Sequence, residues 1–443
     1  MTATATPHER VSSPQIPVSV TGPLGIVMRT LGSMRLAVVL LVLLGLLTWL
    51  GTLAQTDRSL FDVQRDYFES WFVFAKMPLS VWGNTLGAIT IPLPGAYPVM
   101  ALLFVNLLVG GMLRVRWQKR NIGVLIGHLG IAMLLLAGLV KLHGSFSGSM
   151  ALLEAPRNGE APGDRVFQSS TFVSFHDFEL ALLTKGASTI EERLVPEAVL
   201  TGARGSDTVT LRAAGLPFSV QVSHWLDNCV AWPKGPMFLA ATPVIDGVFL
   251  GAEPQSLQRE QNVAGCYVTV IPDAGDRIES MLTSDDSDPR SSHRRPLTAF
   301  RRPFTFTVAG QVYGLDLRHV VYDLPFAVRL DEFRKNDHPG TTMASDFRSF
   351  VTVQDGGAAR QVQIYMNTPL RKDGYVLYQA SYGQAGTKAN GEPEWYTALE
   401  VSNSPSDQWP KYSTFVIGIG LLLHFGSKLW KFLDSSTRKA LQP

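Results

Sequence analysis

The chain has 443 residues, 46% of them hydrophobic, a formal net charge of +2 and only two cysteines. So small a charge excludes a broad electrostatic attraction to nucleic acid. Cys229 and Cys266 lie too far apart for a CxxC redox pair or a zinc knuckle, and the absence of CxxCH excludes covalent haem on this chain itself.

The length leaves room for two or three domains, and the apolar residues are concentrated in a few long runs. After an N-terminal segment (1–34) with Arg10 and Arg29, the run "RLAVVLLVLLGLLTWLGTLA" predicts a membrane span over 35–54. A leader this long, with only a weak small-residue motif at "TLAQ", argues against a cleaved signal peptide. The next stretch, "DVQRDYFESWFVFAKMPLSVWGN", mixes charges with aromatic residues. It suits either an interfacial segment on the membrane surface or a surface docked on a partner, with an ordinary amphipathic connector as the plainer alternative. Spans follow over 97–113 and 122–142, and "YSTFVIGIGLLLHFGSKLW" predicts a fourth over 412–430. Trp49, Trp117, Tyr412 and Trp430 stand near span ends, where amphipathic rings prefer the interface.

The short loop "RVRWQKR" has four Lys/Arg and no acid, and the tail carries Lys431, Arg438 and Lys439 against Asp434. The positive-inside rule then places both termini in the cytoplasm and the long 143–410 segment outside. That segment contains β-type runs broken by Gly, Pro, Asp and Asn, including "PFSVQVSHW", "CYVTVI", "FTFTVAGQVYGLDL", "FRSFVTVQDGG" and "QVQIYMN". "QDGG" reads as a turn, and "TSDDSDPRSSHRRP" as a polar loop. The expected architecture is an α+β membrane protein: three transmembrane helices over 35–142, a large mostly-β extracytoplasmic domain over 143–410, a fourth helix over 411–432 and a tail over 433–443. An outer region with two cysteines leaves open both one disulfide and two separate thiols. No Walker loop, GxSxG, HExxH or dinucleotide fingerprint is present.

Several stretches together resemble the ResB family of cytochrome c biogenesis proteins. They are the "GTLAQ" exit of the first span, the "IGHLG" opening of the third, and "LPFAVRLDEFRKNDHPG" followed by "MNTPLRKDGYVLYQASYG". The family pattern falls on Pro325 and Phe326, a Leu330-Asp331-x-Phe333 turn, Asn367, Pro369, Leu370, Gly374, Tyr378, Gln379 and Ser381. The resemblance covers most of residues 30–432, loosely in the middle of the outer domain. It implies a bacterial inner-membrane subunit of System II that works with a CcsA-type membrane protein. Together the two move haem b across the membrane and support its thioether attachment to apocytochrome c, with thiol-reducing proteins as further partners. The tryptophan-rich haem loop of CcsA has no counterpart here, since Trp82-Gly83 stands alone. The resemblance therefore implies an accessory subunit whose chemistry is coordination and positioning, with no catalytic residue of its own.

An ionisable ring inside a membrane span is costly and suggests function. The resemblance implies that His128 is a haem-iron ligand, and a neutral imidazole suits that role; the plainer alternative is a hydrogen bond to a neighbouring helix. His424 is the second candidate ligand. Seven residues separate His128 from Asn121 and six separate His424 from Trp430, placing both about 10 Å from the same end of the membrane. His143 and His319 read as structural before functional, as do His176, His224 and His338 more strongly; His8 and His293 fall in polar segments. Two rival functions stand beside this one. A quinone-linked membrane b-type cytochrome would want two ligand pairs, and a haem-free scaffold would use the β domain only to bind a partner.

Overall fold

The structure, a computed structural model, describes residues 22–81, 84–115, 118, 121–155, 166–186, 189–236, 242–284, 303–387 and 391–440. His8, Trp82, Gly83, Trp117, His293 and nearly all of the 283–296 polar run lie outside the described residues. The chain forms two compact units. One comprises residues up to 52, 65–137 and 408 onward; the other comprises 53–64 and 138–407.

The first unit is helical. Helix α1 (Pro23–Leu31) opens on the proline that a first turn tolerates and stops at Gly32. Helix α2 (Met34–Ala54) restarts at once, with the Ser33 hydroxyl accepting from the Leu36 amide. A hairpin of β1 (Phe72–Val81) and β2 (Asn84–Pro94) follows, where the sequence suggested an interfacial segment or connector. The alternation Phe72-Val73-Phe74-Ala75 explains it: Val73 and Ala75 are buried while the two rings are exposed, a period of two. Helix α3 (Ala96–Asn106) continues into a π-wound turn, Leu107–Leu113. Helices α4 (Ile122–Gly144) and α5 (Trp409–Ala440) complete the unit. Among the described residues, four helical stretches are long and apolar enough to cross a membrane: Met34–Ala54, Ala96–Leu113, Ile122–Gly144 and Trp409–Ser436. The fourth runs beyond the 430 expected from sequence, because nothing after Trp430 breaks a helix.

Glycines set the packing of these helices. A Cβ placed on Gly420 of α5 would lie 2.4 Å from the Gly127 nitrogen, and one on Gly123 would lie 2.5 Å from the His424 nitrogen. A Cβ on Gly130 would meet the Ile417 nitrogen at 2.9 Å. Backbone therefore meets backbone along one stripe of α4, the small-residue packing by which helices associate in lipid. Elsewhere, the Gly110 Cα nestles against Gly32, and the buried Asn106 amide donates to the carbonyls of Leu31 (2.5 Å) and Ser33 (3.0 Å). Both carbonyls lie at the α1–α2 break; that of Ser33 also accepts from the Ala37 amide at 3.3 Å.

The second unit is built on sheets. Its strands are β3 (Phe146–Leu153), β4 (Gln168–Lys185), β5 (Ile190–Pro196), β6 (Thr208–Leu211), β7 (Phe218–Leu226), β8 (Cys229–Pro233), β9 (Val248–Ala252), β10 (Gly265–Pro272) and β11 (Ile278–Thr283). They continue with β12 (Phe304–Val308), β13 (Gln311–Asp337), β14 (Ala344–Asp355), β15 (Ala358–Tyr365), β16 (Leu370–Lys372), β17 (Tyr375–Thr387) and β18 (Pro393–Asn403). The main sheet runs β15-β14-β13-β4-β3-β18-β17-β16, with β12 on β13 and β5 on β4. A second sheet runs β11-β10-β7-β6, and β8 pairs with β9.

Strand β13 serves two cores by changing phase. Its odd positions Tyr313, Leu315 and Leu317 pack with Phe178 and Leu180 of β4 against Phe218, Val220 and Val222 of β7. Its even positions Phe326, Val328 and Leu330 pack against Val351, Ile364, Leu377 and Leu399. The switch falls where the β13–β4 register slips, between His319 and Val321 and again between Asp323 and Val328. A one-residue irregularity turns every later side chain to the opposite face. A third slip, between Leu330 and Glu332 in the pairing with β14, lies in the expected Leu330-Asp331-x-Phe333 turn. That segment is a bulge inside a continuous strand rather than a turn; the displaced Phe333 amide donates to Glu154 Oε1 at 3.2 Å. The "QDGG" turn forms as expected between β14 and β15, with Gly356 and Gly357 at φ +53° and +93°. Cys229 and Cys266 are buried in different clusters without a disulfide, and burial pushes the Cys266 thiol up to about 12.

The segment 53–64 belongs to the β unit and is held there by a buried ion pair. Ser59 caps the short helix Leu60–Val63, and its hydroxyl donates to Asp62 Oδ2 at 2.6 Å. Asp62 Oδ1 accepts from Arg259 at 2.8 Å, with both side chains largely buried. The Arg259 guanidinium lies 4.8 Å over the Phe61 ring, and His176 stacks on the same ring at 4.0 Å. Burial, then the charge of Arg259, holds the His176 pKa below its ordinary value.

Four outcomes follow for the purified chain. Gly420→Val should lower helical-unit stability by about 1–3 kcal/mol in a denaturant titration, as overpacking does. Gly127→Ala should be tolerated, because nothing lies within 4 Å of its own Cβ. Arg259→Met removes the guanidinium paired with the buried Asp62 and should cost about 3 kcal/mol. Because His176 is depressed in the folded state, its contribution is complete above an unfolded pKa of about 6.5 and is lost as pH falls through the lower folded value. His176→Phe should remove that acid-side slope from the β unit's unfolding profile.

Candidate functional site

The glycine stripe fixes how α4 is turned. Gly123 and Gly130 face α5, the Gly127 backbone touches it at Gly420, and His128 lies about 100° further round the helix than Gly127. It therefore meets α3 instead. His128 Nδ1 lies 2.8 Å from the Gly111 carbonyl oxygen, in the π-wound turn. A carbonyl can only accept, so Nδ1 carries the hydrogen and donates it. In the neutral ring the lone pair is then on Nε2. Gly111 also has to be glycine for this contact, because a Cβ there would lie 2.9 Å from Nδ1. Its carbonyl is among the last four of the helix, which have no partner further along it. One residue thus supplies both the space and the acceptor.

His424 is placed differently. Its backbone lies beside Gly123, five residues before His128 on α4, which is about 7.5 Å along the axis. Gly420 against Gly127 sets this register, so the two backbones are offset along the axis where the sequence suggests similar depth for the rings. His424 Nδ1 is buried with no hydrogen-bond partner, and the ring stands edge-on to Phe425 at 5.2 Å. His128 turns to α3 and His424 belongs to the α4–α5 contact, so the two are not brought together as a facing pair.

The remaining histidines are mostly accounted for by packing. His143 is exposed in the last turn of α4, and His338 is exposed in the β13–β14 connection. His319 is buried at the β13 register slip, 4.4 Å from the Phe178 ring. His224, at φ +52°, stands edge-on to Tyr267. Among the described residues no group of three or more His, Cys, Asp or Glu could hold a metal ion.

The motif positions of the β unit do structural work. Asn367 takes φ +62° in the turn between β15 and β16, and Leu370 is in the core. Gln379 accepts from the Ser349 hydroxyl at 2.5 Å and donates to Thr397 Oγ1 at 2.7 Å. Asp331 accepts from Thr352 at 2.5 Å and pairs with Arg329. The residue that the sequence reading missed is Gly111. Its signal was the "VGGML" pair inside an apolar span, where two glycines mark a close approach of backbone.

The family match falls on the β unit. The ResB-like family matches residues 306–393, from β12 to the start of β18. Protein NrfI of Wolinella succinogenes is 29% identical over 117 residues, which cover 26% of this chain. The chain matches only 11% of that relative's length. Residues 306–393 are thus a ResB-like segment, and the ResB resemblance read from the sequence holds there.

Proposed function

We propose that this chain is a ResB-type subunit in cytochrome c biogenesis. Beside a CcsA-type membrane protein, it would help carry haem b across the membrane for attachment to apocytochrome c. The family match supports the biogenesis role. The observation that carries the haem reading is the His128–Gly111 contact. A metal-bound histidine generally donates its other N–H to a carbonyl or carboxylate, which fixes tautomer and ring orientation. His128 already has that arrangement, so its residues fit an axial ligand to haem iron.

In this reading haem is cargo, and its iron supplies the open coordination position that an imidazole nitrogen fills. Gly111 holds the His128 ring in one tautomer, and the α4 glycine stripe keeps the ring turned away from α5. His424 is assigned the lesser part: its backbone belongs to the α4–α5 contact and its ring is only partly buried. A membrane b-type cytochrome needs facing ligand pairs, and the described residues of this chain do not form one. The second ligand is assigned to the CcsA-type partner.

The test is the absorption spectrum of the complex purified with its CcsA-type partner. His128→Ala should abolish the haem b signal assigned to this site. Gly111→Ala, which crowds Nδ1, should weaken haem retention by about tenfold. His424→Ala should leave the signal in place. An unchanged spectrum in His128→Ala would reject the ligand and favour a haem-free scaffold.

A further inference from the structure

Strand β1 has two unlike faces. Val73 and Ala75 are 5% and 0% exposed, whereas Phe72 and Phe74 are 74% and 69% exposed, and Trp71 just before them is 67% exposed. Three large rings on one short exposed stretch are unusual for a surface that meets only water. Their position in the fold suggests what covers them. Phe72 pairs with Pro94 and Phe74 with Pro92, and α3 begins two residues past Pro94, at Ala96. The Gly95 amide donates to the Trp71 carbonyl at 2.9 Å, and the Trp71 and Tyr97 rings are 6.3 Å apart. Gly95 lets the chain close here, because a Cβ on it would meet the Ser70 carbonyl oxygen at 2.0 Å. The base of the hairpin is thus fastened to the first turn of a helix apolar and long enough to span a bilayer.

We propose that this aromatic face is a phospholipid-binding surface that seats the hairpin in the interfacial layer of the bilayer. It continues the lipid-facing surface of α3, where Leu102 is also exposed. Tryptophan and tyrosine favour this layer, with an apolar ring on one side and a polar group reaching water on the other. Trp71 and Tyr97 form the belt at the mouth of α3, and Phe72 and Phe74 extend it along β1. The seat fixes the depth of α3. Gly111, fifteen residues past Ala96, then lies about 22 Å from that anchored end. The inference rests on α3 crossing the membrane and is independent of whether His128 binds haem.

The experiment uses the full chain in phosphatidylethanolamine–phosphatidylglycerol vesicles, with a nitroxide on Phe74→Cys. The native thiols are buried, Cys229 at 1% and Cys266 at 0%, so labelling is selective for the new one. Power saturation should show stronger collision with oxygen, which partitions into lipid, than with a water-soluble nickel chelate. Stronger collision with nickel would place the face in water and overturn the proposal. An immobilised label shielded from both would also overturn it, because the cover would then be protein. If Phe74→Cys does not fold, brominated phospholipids replace the label. Quenching of wild type but loss of that quenchable fraction in Trp71→Phe supports lipid contact, and equal quenching of both rejects it.

Discussion

Two helices can approach until their backbones touch only where neither places a side chain between them. In the helical unit that constraint is met at Gly123, Gly127 and Gly130 on α4 and at Gly420 on α5. The contact fixes the rotation of α4, and the rotation decides what each of its other side chains can meet. His128, next in sequence to Gly127, is turned toward α3 rather than α5. A second close approach, Gly110 against Gly32, seats the end of α3 against the α1–α2 break. The histidine and its carbonyl partner therefore meet through two sets of glycine contacts, neither of which includes the imidazole itself.

The β unit meets a different demand with a different device. One strand must line two cores, and an unbroken period of two would keep its apolar side chains on a single face. Register slips along β13 change that phase and carry the apolar set from the core shared with β7 to the core shared with β14, β17 and β18. Part of the ResB-like pattern lies at these irregularities. The Leu330-Asp331-x-Phe333 segment surrounds a bulge, and Gln379 and Ser381 flank another on β17. Hydrogen bonds from these positions hold the strand shape. The matched segment, 306–393, and the histidine site are thus separate parts of the chain.

Much of this was legible in the sequence, for identifiable reasons. Long apolar runs marked the four helices, since span length is a composition signal. Strands with clean alternation, such as "PFSVQVSHW" and "QVQIYMN", were equally readable. Strand β5, "IEERLVP", was not, because nearly all of its residues are exposed and its pairing comes from β4 alone. The β1–β2 hairpin was obscured by charges around its aromatic residues. The bulge at Asp331 reads as a turn only through the family pattern, and the pairing with β14 shows a continuous strand there. The histidines were visible as candidates, but their partners were not. Which face His128 presents depends on glycine contacts between segments hundreds of residues apart.

The same His128 geometry has a consequence for approach. With Nδ1–H committed to the Gly111 carbonyl, the neutral ring has a single vacant basic site, Nε2. Anything the neutral ring takes up must therefore approach along the Nε2 lone pair, in the plane of the imidazole and away from Gly111. A backbone carbonyl that orients a side chain thus leaves it a single direction of approach.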